Sequence, residues 1–164
     1  MKDSVLDPAI YSTTYQRNFK HQVADSLFIS DDYEEVMWDK IVERPLENPG
    51  KYVYSDLGII ILQKVIEKIS GDDLDELVSE IFYQPLGLWK IGYHPLTWTD
   101  KSQIVPTEVD SVFRHQLIHG FVHDPAAAMM GRVGGHAGVF SNAESLAVIM
   151  QMLLNGGEYG GKDI

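Results

Sequence analysis

The stretch Pro49-Gly50-Lys51-Tyr52-Val53-Tyr54-Ser55-Asp56-Leu57-Gly58 decides how the rest of the chain is read. Pro-Gly marks a turn, and residues 51–54 are rich in the aromatic and β-branched side chains of an extended segment. The most apolar run of the sequence follows. In it Leu62, Val65, Ile66 and Ile69 recur at helical spacing until Ser70-Gly71 supplies a C-terminal stop. Tyr54 therefore stands where an extended piece meets an apolar helix, a place from which a phenol can point into a cleft. The plainer reading of the same residues is a helix start, with Ser55 or Asp56 as the cap and Tyr54 as its hydrophobic staple.

Working outward, residues 1–29 are polar and aromatic without a sustained period and read as irregular or extended. Ser30 is expected to cap a helix whose face is Tyr33, Val36, Met37, Lys40 and Ile41, and Pro45 ends it. Downstream, Asp72 or Asp73 is expected to cap a helix with Leu74, Leu77, Val78, Ile81 and Phe82 as its buried stripe. Residues 89–114 read mostly as loop. Gly134-Gly135-His136-Ala137-Gly138 reads as a turn, and Ser141-Asn142-Ala143-Glu144 as a capping box opening a last helix. That helix carries Leu146, Ile149, Met150 and Leu153 on its apolar face. Strands should be few and short, so the expected class is α+β and helix-rich, with residues 30–164 its helical region.

The 164 residues suit one domain, and 45% hydrophobic content supplies a core without staples. The formal charge of −11 disfavours nucleic acid and anionic lipid surfaces as partners. With no cysteine there is no disulfide frame, thiol nucleophile or cysteine zinc site. No apolar run is long enough for a membrane span, and Met1-Lys2-Asp3-Ser4 does not open a signal peptide.

Together, the Tyr54 passage, Ile66-Glu67-Lys68-Ile69-Ser70-Gly71, Pro85-Leu86-Gly87-Leu88 and the phrase running from Gly134 to Ser141 resemble the serine β-lactamase and penicillin-binding-protein family. The likeness is to its class C, esterase-like branch. It is most similar to the β-lactamase-like domain appended to some family 3 glycoside hydrolases. Such a resemblance implies a fragment carrying mainly the helical lobe of that fold, from a hydrolase acting through an acyl-serine. It implies Tyr54 as the proton-transfer group, and Asp56 and His136 at substrate-binding positions. The substrates would be muropeptide-like amides, β-lactams or small esters. It implies no cofactor and no metal, and a periplasmic or cell-envelope address.

The departures matter as much. Asp56 stands where the family usually has asparagine, which removes two donors and adds a charge. No serine is followed three places later by lysine; Ser111-Val112-Phe113-Arg114 comes nearest. No Lys- or His-Thr-Gly triplet occurs, and His136-Ala137-Gly138 has only its outline. The 164 residues thus read as the middle of a single incomplete domain, inactive alone. Two other readings stay open: a non-catalytic binding module of the same family, and a metal site built from His115, His119, His123 and Asp124. Loop and capping hydrogen bonds are the plainer role for those histidines, and packing the plainer role for Trp38, Trp89 and Trp98. Apolar helix faces left without a sheet to rest on are expected to drive homo-oligomerisation.

Overall fold

A computed structural model describes residues 6–45 and 49–164. The turn cluster read at 45–50 and the amino-terminal reading lie partly outside those residues. The chain begins with three short strands, β1 (Tyr11–Ser12), β2 (His21–Ala24) and β3 (Leu27–Ile29), antiparallel in the order β1-β3-β2. Residues 1–29 read as irregular or extended, and within the described part of them these nine residues are strand. In β3, Leu27 and Ile29 are buried while Phe28 between them is half-exposed, the alternation a sheet imposes. A register shift between Gln22 and Ala24 turns both Val23 and Ala24 inward. Short length and that bulge blur the alternation in the sequence.

These strands, not the long helices, hold the core. Val23, Ala24, Leu27 and Ile29 pack with Ile118, Phe121, Val122, Ala127 and Ala128. The second group comes from the hairpin β5 (Glu108–Asp110) and β6 (Gln116–Ile118), and from the short helix α4 (Pro125–Met129) that follows. Arg114, between the hairpin strands, has no exposed side chain. Its Nε donates to Asp110 Oδ2 (2.8 Å), its terminal nitrogens to the carbonyls of Val122 and His123 (2.7 Å each) and to Glu108 Oε1 (3.0 Å). Asp110 also accepts the backbone N–H groups of Val112, Phe113 and Arg114. Burial would raise the Asp110 pKa, but the guanidinium and these N–H groups outweigh it and hold the carboxyl well below its usual range.

The helices lie around this core and bury little. α1 (Tyr33–Val42) follows Asp32 rather than a Ser30 side-chain cap, and none of its residues is buried. α2 (Leu57–Ser70) ends at Gly71 in the left-handed region, as the stop signal predicts, but buries Ile60 and Gln63. Its apolar stripe is outward: Leu62, Val65 and Ile69 are exposed, Ile69 by 81%. α3 (Leu74–Val78) buries Leu74 and runs into a π-helical turn, Ser79–Tyr83, and Ile81 of the expected stripe is exposed. α5 (Ala143–Leu154) starts one residue later than a Ser141 capping box requires. Asn142 is the cap, its side chain accepting from the Ser145 N–H (2.8 Å), while Ser141 Oγ donates to the Asn142 carbonyl. Its residues Leu146, Met150 and Leu153 are exposed as well. The remaining pairs are β4 (Ile91–Gly92) with β7 (Phe140–Ser141), and β8 (Glu158–Tyr159) with β9 (Lys162–Asp163). Among the described residues no helix is long and apolar enough to cross a membrane.

Candidate active site

Tyr54 lies on the extended approach to α2 and is 78% exposed, so it is not a packed staple. Its hydroxyl donates to Asp56 Oδ1 at 3.0 Å. That hydrogen bond, with the charge of the same carboxylate, raises the phenol pKa above its ordinary value. Asp56 makes no side-chain cap bond; Ser55 Oγ instead accepts the Leu57 N–H at 3.3 Å. The carboxylate is thus free to engage the phenol and accepts its one proton in a hydrogen bond.

The other half of the candidate site is the glycine turn, which the structure fixes to α2. Gly134 and Ala137 exchange backbone hydrogen bonds across it. Gln63, buried on α2, accepts the Gly135 N–H (2.9 Å) and donates to the Val133 carbonyl (3.2 Å). Gly135 lies against α2 so closely that a Cβ there would stand 3.1 Å from Ile59 Cγ2 and 3.2 Å from its carbonyl. On the other side the Tyr93 hydroxyl donates to the Gly134 carbonyl (3.0 Å), and a Cβ on Gly138 would meet the Arg132 carbonyl at 2.7 Å. One rigid unit therefore joins the helix that Tyr54 introduces to the glycine turn. Sequence reading found both partners but missed Gln63, a lone amide in an apolar helix and the only signal available.

His136 turns inward rather than toward an opening. Its side chain is 5% exposed, with Nε2 3.0 Å from Asp124 Oδ1, and Asp124 also caps α4 by accepting the Ala127 N–H (2.7 Å). The histidine series is taken apart by β6, which lies between His115 and His119. His119 Nε2 meets the Ile104 carbonyl at 2.7 Å and His123 stands 3.3 Å from Glu108. Among the described residues no group of three or more His, Cys, Asp or Glu could hold a metal ion. Arg114 of the nearest Ser-x-x-Lys lookalike is the buried hub of the β5–β6 hairpin, remote in role from any nucleophile.

The mixture of short strands and helices is consistent with a β-lactamase-like fragment. The chain belongs to the β-lactamase family, whose model matches residues 7–163. It is 40% identical over 152 residues to a protein of Escherichia coli strain K12 named "Putative D-alanyl-D-alanine carboxypeptidase", covering 84% of this chain and 35% of that protein. A protein of the same name from Salmonella paratyphi B is 41% identical over 136 residues, covering 74% of this chain and 32% of its own length. The chain thus spans about a third of the length of these curated relatives.

Proposed function

We propose that these 164 residues form part of a serine hydrolase in which Tyr54 moves the proton of an acyl-accepting serine carried on a Ser-x-x-Lys segment. The observation that supports this most is the position of Tyr54: an exposed phenol at the head of the helix locked to the glycine turn. Acyl transfer needs such a group twice, to take the proton from the attacking serine and to return one to the leaving group. The substrate class is a peptidoglycan-like amide, a β-lactam or a small ester, with a peptide ending in D-alanine the first to try, given the names of the relatives. That chemistry belongs in the cell envelope, and the likeness to domains appended to family 3 glycoside hydrolases fits cell-wall turnover. Asp56 is assigned to orienting the phenol, and His136, bonded inward to Asp124, to holding the glycine turn rather than touching substrate.

A second reading is favoured by one observation. A carboxylate raising the Tyr54 pKa makes the phenol a poorer base, which fits a non-catalytic module that would bind its ligand without turning it over. A fluorescent penicillin separates the two. The 164-residue chain should take no covalent label, because it has no Ser-x-x-Lys, and a protein joining it to that segment should label. Labelling of the 164 residues alone, or none of the joined protein, contradicts the catalytic reading.

A further inference from the structure

We propose that Gln63 is a positioning residue of the site, holding the glycine turn in place against the helix that Tyr54 leads. The effect on rate rests on the hydrolase reading; the hold on the turn does not. Gln63 is buried on an apolar helix, where an amide is costly unless its polar atoms are bonded. Nε2 donates to Glu67 Oε1 (2.8 Å) and to the Val133 carbonyl (3.2 Å), while Oε1 accepts the Gly135 N–H (2.9 Å). All three partners require the same orientation of the amide, since a carboxylate and a carbonyl only accept and a backbone N–H only donates. Turned over, the amide would set acceptor against acceptor and donor against donor.

Glu67 fixes that orientation from within the same helix. It lies one turn beyond Gln63, at the i,i+4 spacing that brings two side chains together on one face. Its Oε1 also accepts the Leu74 N–H at the start of α3 (3.3 Å), and its Oε2 stands 3.2 Å from Lys64 Nζ. Lys64 in turn reaches Glu34 Oε1 on α1 at 2.7 Å. A chain of polar contacts therefore runs from α1 through α2 to the glycine turn. The extended segment bearing Tyr54 enters α2 at Leu57, and the turn meets α2 at Ile59 and Gln63. The place of the turn relative to the phenol is thus set by where Gln63 holds it, and a displacement of about 1 Å can cost an enzyme roughly 10²-fold in rate.

The test is hydrogen–deuterium exchange of the Gly135 amide in the 164-residue protein, with the amides of the β5–β6 hairpin as the control for global stability. Gly135 is exposed, so its N–H is protected while the bond to Gln63 lasts. Gln63→Met, close in volume, should speed that exchange about tenfold or more and leave the hairpin unchanged. Gln63→Glu sets two carboxylates side by side and removes the donor to Val133, and should speed it likewise. Adding Glu67→Gln to Gln63→Glu restores a donor between the two positions and should slow the exchange again, which a role in packing alone would not produce. In the protein joined to a Ser-x-x-Lys segment, acylation by a fluorescent penicillin should fall about tenfold or more in Gln63→Glu and rise again in the double variant. Unchanged Gly135 exchange in Gln63→Met, no recovery in the double variant, or equal acylation of wild type and Gln63→Glu would overturn the proposal. A joined wild-type protein that takes no label would defeat the hydrolase reading instead, with the Gly135 exchange still deciding the hold on the turn.

Discussion

Tyr54 and Asp56 show how a neighbouring carboxylate sets the chemistry of a phenol. An asparagine at position 56 could accept a hydrogen bond from the phenol through its amide oxygen without adding charge. The carboxylate adds charge and ties the phenol to its protonated form. Asp56→Asn should therefore return the Tyr54 phenol toward its ordinary pKa. The change would be read as the difference in phenolate absorbance between titrations of this variant and of the same variant carrying Tyr54→Phe, against the matching wild-type pair. An unchanged Tyr54 titration would mean that Asp56 does not govern the phenol. The tyrosine and its acidic neighbour were legible in the sequence because they stand in a recognisable passage. Their mutual hydrogen bond was not, since capping would have used the same carboxylate.

Elements were legible where local chemistry decides them and obscure where tertiary packing does. Ser70-Gly71 ends α2 and the 143–154 helix forms, because a left-handed glycine and a polar cap act within one turn. The amino-terminal sheet is obscure in the sequence: its strands are two to four residues long, and a bulge breaks the alternation at Val23. The Ser141 cap shifted because neighbouring Asn142 takes that position, whereas α1 starts at Asp32 without any side-chain cap bond. The β5–β6 hairpin makes the sharpest prediction at this scale. Its Asp110 carboxyl is held below the ordinary carboxylate pKa, so its stabilisation is full above about pH 4 and is lost as the pH falls toward the folded value. In urea denaturation, Asp110→Asn should make the loss of stability below pH 4 shallower. Arg114→Ala, which strands a buried carboxylate, should cost about 3–5 kcal/mol near neutrality. An unchanged acid slope in Asp110→Asn would refute this account of the hairpin.

At the scale of the whole molecule, the distribution of burial is the main finding. The core is built by the short strands and by residues 118–128, while the apolar faces of α2 and α5 stay open. Ile69, Leu153 and Leu154 are exposed by 81%, 61% and 82%, an arrangement that invites self-association. Light scattering of the 164-residue protein should show a mass that rises with concentration, and Ile69→Lys combined with Leu154→Lys should suppress the rise. A mass equal to the monomer's at every concentration would show that these faces remain solvated. The helix-rich expectation located these apolar stripes but not their direction, because periodicity identifies a face without saying what covers it.

The proposed role of Tyr54 is to carry the proton in acyl transfer. The direct measurement is the rate of acylation by a fluorescent penicillin in a protein that joins these residues to a Ser-x-x-Lys segment, compared with its Tyr54→Phe variant. A loss of roughly 10²–10⁴-fold, with the fold intact by circular dichroism, is the predicted result. Equal rates in the two proteins would contradict the claim.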